Sequence, residues 1–176
     1  MPVVELFGGG IRADLPDGFD DISKVRDVPD HQEVYVGSGR GAEGDVSVIV
    51  ELLDREDQDD VSAAAYHFDE LSKGNSASRS SVVKMEPLGH RDVPRMRGDI
   101  PKMLITGVQG VRKFGQEDAP EDNVHVALAV IRPLEPSADI LVCVNYPGQE
   151  ECSEAAEALL RSVLGSFEVV DWELFV

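Results

Sequence analysis

The sequence predicts one α/β/α domain: a central, largely antiparallel sheet of six or seven strands, covered by helices on both faces. Three observations predict this fold class. Short β-branched apolar runs dominate the chain, the links between the last three runs are too short to hold a crossover helix, and two segments have amphipathic helical spacing. We expect the 176 residues to form a single domain, 1–176, because no linker, internal repeat or low-complexity segment interrupts them.

The predicted strands share a short length and a β-branched, apolar composition. They are 46–53, 81–86, 102–114, 124–132 and 140–146. The acidic segment 116–123 and the proline-containing segment 133–139 are predicted hairpin loops, so the last three strands should form an antiparallel meander. In the run 124–132 both alternating sets of side chains are apolar, which predicts that the sheet is covered on both sides. One set is Val124, Val126, Leu128 and Val130, and the other is Ala127, Ala129 and Ile131.

Two segments have the periodicity of amphipathic helices. The first runs from Asp60 to Leu71, and its apolar stripe comprises Val61, Ala64, Ala65, Phe68 and Leu71. For the second helix we expect Ser153 as the N-cap and Gly165 as the residue that ends it. The segment 167–170 is a predicted last strand, and a short helix is expected near 22–25.

The chain is strongly acidic, with a formal net charge of -18 at pH 7 from 34 Asp and Glu against 16 Lys and Arg. Because binding to phosphates depends on basic residues, we expect no nucleic-acid partner and no anionic membrane surface. The charge permits a basic protein partner, reached by electrostatic steering. No apolar run approaches the roughly 18 residues that a membrane span needs, and the start lacks the features of a signal peptide. We therefore expect a soluble intracellular protein.

The charge is unevenly distributed along the chain. Residues 61–120 carry 7 acidic and 9 basic residues, whereas the thirds before and after them are strongly acidic. Within this middle third, four basic residues follow one another closely: Arg91, Arg95, Arg97 and Lys102. The sequence leaves open whether this basic run is a second contact surface or a solvated loop.

Patterns typical of catalysis or cofactor binding are absent from the sequence. The glycines at 8–10 lack the spacing of a dinucleotide fingerprint and predict a tight turn that needs positive φ or close backbone approach. The histidines are scattered without metal-ligand spacing, the two cysteines are too few for a disulfide framework, and there is no Gly-x-Ser-x-Gly elbow. We expect that the protein is not an enzyme and that it binds no metal and no cofactor. A hydrolase with an unrecognised site would need a deep pocket where His67 or His125 lies beside a nucleophile.

One polar segment has no obvious packing role at the sequence level. Residues 27–36 run from a proline-containing turn into a predicted strand. Within it, Asp30 and Gln32 have two open interpretations, as simple caps of the turn or as part of an interaction surface.

A second segment, 50–54, is an apolar strand interrupted by Glu51 and ended by Asp54. Strict alternation places Glu51 on the face of Ile49 and Leu53, where an unpaired carboxylate would be costly. Either the strand leaves the core at this point or Glu51 has a partner. Alternation also places Glu51 and Asp54 on opposite faces, so they can act together only if the strand bends or ends near Leu53.

At these segments the sequence resembles the Mog1 family of Ran GTPase-binding proteins. Residues 5–9 (ELFGG) and 15–19 (LPDGF) are similar to the family's Leu-aromatic-Gly-Gly opening and Pro-x-Gly turn. Residues 25–35 (VRDVPDHQEVY) resemble its Leu-Arg-x-Val-Pro-Asp-x-Gln-Glu-Val-aromatic motif, and 48–54 (VIVELLD) resemble its Ile-Ile-Val-acid-Leu-Leu-acid strand. Further matches keep the chain order and extend the resemblance over nearly the whole length: Tyr66–Phe68, Ala129–Arg132, Val144–Pro147 and Phe167–Phe175.

The resemblance implies a PsbP-like sandwich and a regulatory protein that binds a Ran-type small GTPase, promotes release of its guanine nucleotide and supports nuclear transport. It carries acidic contact positions over to Glu51 and Asp54, although Asp54 stands where many members have Glu and reaches one methylene less far. It also carries over an interaction segment with five polar positions: Arg26, Asp27, Asp30, Gln32 and Glu33. On this basis we expect the protein in nucleus and cytoplasm, and as a monomer.

One alternative from another class stays open at this point. A non-exchange adaptor or chaperone on the same scaffold would bind a basic protein partner without affecting nucleotide, and fold alone does not distinguish the two. The Val-Pro-Asp-x-Gln-Glu motif together with the acidic strand favours the Ran interpretation. Three points stay open at the level of sequence: whether GTP-bound or GDP-bound Ran is preferred, which further proteins join the complex, and the oligomeric state.

Overall fold

A seven-stranded antiparallel sheet forms the centre of the molecule, and a three-stranded sheet packs into the core on one of its faces. The computed structural model describes residues 1–41, 44–112 and 121–175. The strands, in chain order, are β1 (Val3–Leu6), β2 (Ile11–Asp14), β3 (Phe19–Asp21), β4 (Gln32–Gly41), β5 (Gly44–Leu53), β6 (Arg79–Pro87), β7 (Lys102–Val111), β8 (Asp122–Ile131), β9 (Asp139–Pro147) and β10 (Glu168–Val169). The helices are α1 (Asp60–Gly74) and α2 (Cys152–Ser166), with 3-10 turns at Phe7–Gly9, Ile22–Lys24 and Trp172–Phe175.

The strand order of the large sheet is β3-β4-β5-β9-β8-β7-β6, and all neighbours are antiparallel. The predicted meander is confirmed, since β8 pairs with β7 on one side and β9 on the other. Of the loop predicted over 116–123, residues 116–120 lie outside the described residues, as do residues 113–114 of the predicted strand 102–114. The predicted last strand is β10, and it pairs with β2 in the small sheet.

The two faces of the large sheet carry separate apolar cores, as the alternation in β8 predicts. Val126, Leu128 and Val130 pack with Phe68 of α1 on one face. On the other face, three β8 residues pack with α2 and the small sheet: Ala127, Ala129 and Ile131. The predicted α/β/α sandwich with a sheet covered on both faces is therefore confirmed.

Helix α1 begins at the predicted residue, and its buried stripe is rotated from the prediction. Asp59 caps it, because its carboxylate accepts the N–H of Ser62 at 2.8 Å. Val61 is 55% exposed, and Ala65 is also exposed, so their predicted places on the buried stripe are wrong. His67 and Ser72 are buried instead, and a hydrophobicity pattern cannot identify buried polar residues that have partners in the fold.

Helix α2 differs from the prediction at both ends. It begins at Cys152, and Glu151 precedes it without a side-chain cap, so the expected N-cap at Ser153 is wrong. The expected end at Gly165 is also wrong, since the helix continues to Ser166. The Ser166 hydroxyl donates to Val163 O at 3.1 Å and accepts the N–H of Asp14 in β2 at 2.8 Å. This tertiary contact extends the helix past the glycine.

The uneven cover of the large sheet creates the site described below. Seven strands spaced about 4.8 Å apart span close to 30 Å, whereas a helix is about 10 Å wide. On the face of the large sheet that α1 covers, the helix contacts mainly β7 and β8. The strands β4 and β5 are consequently only partly covered on the α1 face, whereas Leu141 and Cys143 of β9 are buried in the core beside α1.

Candidate functional site

An open groove of about 710 Å³ lies between α1 and the strands that α1 leaves only partly covered. Ile49 and Leu53 of β5, Leu141 of β9 and Leu71 of α1 supply its apolar side chains. We call it the acidic groove, because four carboxylates line it against one guanidinium. The charged residues of its lining are Glu51, Asp54, Glu56, Glu70 and Arg26.

Glu51 lies in the acidic groove on the same face as Ile49 and Leu53. Its Oε1 is 3.3 Å from Nε2 of His31, and its side chain is only 16% exposed. Strand β5 continues through it to Leu53, which pairs with Asp139 of β9. Of the two alternatives that the sequence leaves open, the structure has the second: the strand stays in the sheet and Glu51 has a partner.

Asp54 reaches the same groove because β5 ends one residue before it, at Leu53. Strand alternation no longer applies beyond that point, so an exposed side chain at 54 can face the groove. The condition for joint action of Glu51 and Asp54, a strand that ends near Leu53, is met.

The polar segment before β4 divides between the groove and the remaining surface. Gln32 pairs with Glu51 in the strand register and lines the groove. Arg26 lines it from the end of the 3-10 turn, where its N–H donates to Ile22 O at 3.1 Å. Asp27 and Asp30 are exposed in the link that follows and are not among the groove's lining residues.

Glu33 faces away from the acidic groove. It pairs with Val50 in the register, and Val50 belongs to the core on the α2 face. Its Oε1 accepts the N–H of Phe7 at 2.7 Å, in a turn where Phe7 has φ of 52°. Gly8 and Gly9 follow with φ of 68° and 92°, the positive values that the glycine run predicts. Glu33 therefore supports this turn in the structure.

Sequence reasoning missed four polar residues of the groove: Glu56, Tyr66, Glu70 and Asn75. Tyr66 and Glu70 are four residues apart on α1, so helical spacing was a usable signal for their shared face. Glu56 carried no such signal, because it lies in an irregular link. The negative charges of Glu56 and, next, Glu70 raise the pKa of the Tyr66 phenol, which reports the negative potential of the groove.

A buried ion cluster holds the link that carries Asp54 and Glu56. Arg132 and Asp139 are fully buried, and Arg132 Nε donates to Asp139 Oδ1 at 2.9 Å. Arg132 also donates to the carbonyl oxygens of Glu56 at 2.6 Å and Gln58 at 2.9 Å, while the N–H of Glu56 donates to Asp139 at 3.1 Å. We call Arg132 and Asp139 the link clamp. It fixes the backbone beside the groove by charge-assisted bonds.

His67 also belongs to this cluster. Its Nε2 is 2.7 Å from Asp139 Oδ2. Burial opposes ionisation of Asp139, but hydrogen bonds from His67, Arg132 and the N–H of Glu56 hold the pKa of its carboxyl below its usual range. Among the described residues that line the groove there is no serine, threonine or cysteine to act as a nucleophile beside His67.

The second histidine considered for hydrolysis, His125, is buried in β8. Its Nε2 is 3.1 Å from Gly148 O. It lines neither this groove nor the second pocket of the described structure. Within the described residues no helix is long and apolar enough to cross a membrane, and no three His, Cys, Asp or Glu side chains form a metal-type cluster.

The fold and the groove together define an α/β/α scaffold with an acidic groove on one face of its sheet. The same fold occurs in the crystal structure of the Ran-binding protein Mog1p of Saccharomyces cerevisiae, with a TM-score of 0.76 and 28% sequence identity. The match covers 99% of this chain and 98% of that chain.

The sequence comparison identifies the family. Residues 4–147 match the model described as Ran-interacting Mog1 protein, and the chain belongs to this family. The nuclear import protein mog1 of Schizosaccharomyces pombe is 36% identical, covering 82% of this chain and 76% of its own length. The Ran guanine nucleotide release factor of Danio rerio is 33% identical, and the match covers 96% of this chain and 87% of that protein. The resemblance noted in the sequence is confirmed.

Proposed function

We propose that this protein binds a Ran-type small GTPase through the acidic groove and promotes release of its guanine nucleotide, in support of nuclear protein transport. The names of the relatives support the partner and the process. The observation that carries the site assignment is the meeting of Glu51, Asp54, Gln32 and Arg26 in one groove, although 28 residues separate the first and last of them in sequence.

The groove has the chemistry to bind a basic side chain. The aliphatic stem of a lysine or arginine packs on Ile49, Leu53 and Leu141, while its charged head reaches Glu51 or Asp54. His31 then gives up its contact with Glu51 to the incoming cation. A carboxylate that is only 16% exposed forms a stronger pair than a surface carboxylate, because less water screens it.

Release of nucleotide follows if the groove fits the empty GTPase better than the loaded one. A small GTPase holds its nucleotide with a lysine, backbone amides and Mg²⁺. A partner that prefers the empty form shifts the equilibrium toward release by no more than its differential affinity. Pairing of Glu51 and Asp54 with basic groups of the GTPase supplies that difference.

The remaining acidic surface acts mainly on the rate of association. A net charge of -18 attracts a basic partner surface over distances near the Debye length, about 8 Å at physiological salt. Association is therefore expected to slow as salt rises, whereas the buried part of the pair sets the rate of dissociation.

The test compares Glu51→Lys with Glu154→Lys. Both change the net charge equally, but Glu154 is exposed on α2, on the opposite face of the sheet. Purified Ran loaded with a fluorescent guanine nucleotide reports release, and titration reports affinity. We expect Glu51→Lys to weaken binding more than tenfold, because close interfacial charge pairs contribute about 1.5–7 kcal/mol. Glu154→Lys should stay within about twofold of the wild type.

Two outcomes would contradict the proposal in different ways. A folded Glu51→Lys protein that binds and releases normally would remove Glu51 from the contact surface. Binding by the wild type without any acceleration of release would instead support the alternative, an adaptor or chaperone that does not exchange nucleotide.

We further propose that the protein acts as a single-domain monomer in nucleus and cytoplasm. The apolar core on the α2 face draws residues from Leu6 to Val169, nearly the whole chain, which supports the single domain. The acidic charge supports the absence of nucleic-acid and membrane partners. Binding alone accounts for the proposed activity, so it needs no cofactor, no metal and no covalent chemistry.

A further inference from the structure

A second pocket of about 470 Å³ opens at one end of the large sheet, where three links meet. Arg55 reaches it from the β5–α1 link, Arg97 from the β6–β7 link, and Glu135 from the β8–β9 link. It is separate from the acidic groove, although Arg55 lies between Asp54 and Glu56 in the chain. Its full lining in the described structure is Arg55, Arg97, Asp99, Ile100, Pro101, Arg132, Leu134 and Glu135.

Two of the three arginines in this pocket are already committed within the fold. Arg132 is fully buried and bonded to Asp139, Asp60 and two carbonyl oxygens. Arg97 lies over the ring of Trp172 at 3.9 Å and donates to Glu135 O at 2.9 Å. These contacts hold the pocket wall in place.

Arg55 differs from both. Its side chain is half-buried, and its Nε is enclosed with no hydrogen-bond partner among the described residues. Burying a guanidinium N–H without an acceptor is unfavourable, so such a group is expected to meet an acceptor from outside the chain.

The surroundings add positive potential behind the pocket. Lys102 is 4% exposed and donates through Nζ to the carbonyl of Ile100, a lining residue, at 2.7 Å. Burial lowers the pKa of Lys102, while the charge of Asp99 opposes that shift. Asp99 and Glu135 are the acids of the lining, and both are exposed at the rim rather than enclosed.

We propose that this pocket is an oxyanion site in which the Arg55 guanidinium binds a phosphate or carboxylate group, with Arg97 beside it. Arg55 lines the pocket, and the fork of N–H groups on a guanidinium matches either group through paired N–H bonds. The site takes up part of the basic run that the sequence singled out, through Arg97. It does not depend on the function proposed for the acidic groove.

The test is a titration of the full-length protein with sodium phosphate and, separately, with sodium acetate, each against sodium chloride at equal ionic strength. Backbone amide signals of Ile100 and Leu134 in a ¹⁵N correlation spectrum report the pocket, and the Arg55 Nε–H signal reports the donor. We expect saturable shifts with at least one of the two anions. The anion that binds more tightly identifies the class of group that the site takes.

Three variants test whether the anion binds at Arg55. Arg55→Gln should weaken binding at least about tenfold, the usual effect of losing a charge-assisted hydrogen bond. Arg91→Gln removes the same charge from an exposed position outside the pocket lining and should leave binding unchanged. Glu135→Gln removes a rim carboxylate and should tighten binding, so the proposal stays testable even if Arg55→Gln does not fold.

The proposal fails if the shifts with both anions are linear and equal to those with chloride, since that describes ionic strength alone. It also fails if a folded Arg55→Gln protein binds as well as the wild type. Equal weakening by Arg55→Gln and Arg91→Gln would show general surface charge and would equally overturn it.

Discussion

Replacing Arg132 by methionine tests the link clamp, which positions the acidic groove. Methionine keeps much of the stem volume but removes every donor. Arg132 bonds Asp139, Asp60 and the carbonyl oxygens of Glu56 and Gln58, and each of these groups loses its bond to the guanidinium. The severe part of the loss is at Asp139, because that carboxylate is fully buried.

The magnitude follows from this burial. Removing one partner of a buried ion pair leaves an uncompensated charge and costs about 3–5 kcal/mol. His67 and the N–H of Glu56 still bond Asp139, which places the expected loss near the lower end, about 3 kcal/mol. That is a large fraction of the 5–15 kcal/mol typical of a whole domain.

The assay is urea unfolding followed by circular dichroism, with Arg161→Met as the matched control. Arg161 also bonds three carboxylates, those of Glu86, Asp92 and Glu157, but it is 35% exposed. Exposed pairs contribute about 0.2–1 kcal/mol each, so this variant should lose about 1–2 kcal/mol.

The reasoning is refuted if Arg161→Met costs as much as Arg132→Met, or if Arg132→Met costs less than about 1 kcal/mol. Either result would show that burial does not set the energy of the clamp. A folded Arg132→Met protein should in addition show altered amide signals at Glu56 and Gln58, because the carbonyl oxygens of both residues no longer accept hydrogen bonds from the guanidinium.

Two further predictions concern ionisation in the core. The pKa of Asp139 is depressed in the folded protein, so its contribution to stability is present above the unfolded pKa near 4 and is lost as pH falls through the folded pKa. In Asp139→Asn, the free energy of unfolding should therefore depend less steeply on pH below about pH 4. An unchanged slope would contradict this. Burial, with the nearby charge of Glu51, raises the pKa of Cys143 to about 12. In a Cys152→Ser variant, a disulfide reagent at pH 8 should therefore label Cys143 only as fast as the protein unfolds. Rapid labelling of the folded protein would contradict this.

Much of the sheet followed from local pattern. The run 124–132 indicated a strand with two apolar faces, and the structure places its alternate residues in two different cores. The short link after Ile131 predicted the hairpin to β9. The dilemma at Glu51 was also visible, because alternation placed a carboxylate on an apolar face, although its partner His31 was not identifiable from the pattern.

The errors lie where tertiary contacts override local preference. Ser153 is a residue type common at the start of helices and Gly165 one common just past their end, but Ser166 bonds β2 and α2 continues past Gly165. Val61 is apolar yet exposed, while His67 is polar yet buried against Asp139. Local propensity contains no information about such partners.

The site shows the same division. Glu33 and Gln32 are neighbours in one motif, but the pleat of β4 sends Gln32 to the acidic groove and Glu33 to the turn at Phe7. Alternation along β4 puts these two side chains on opposite faces of the sheet. The packing of the small sheet against one face decides what Glu33 meets. Glu56 entered the groove because Arg132 and Asp139 hold an irregular link.

The sequence by itself determined the acidic charge, the alternating strands, the antiparallel meander and the family. Each of these is written in composition, in backbone periods of about 2 and 3.6 residues, or in motifs that keep their order along the chain. Tertiary structure alone decided which carboxylates share a groove and which arginine was left with an enclosed, unbonded nitrogen within the described residues. The physical reason is distance: periodicity relates residues a few positions apart, whereas the groove and the second pocket join links brought together by strand order and packing.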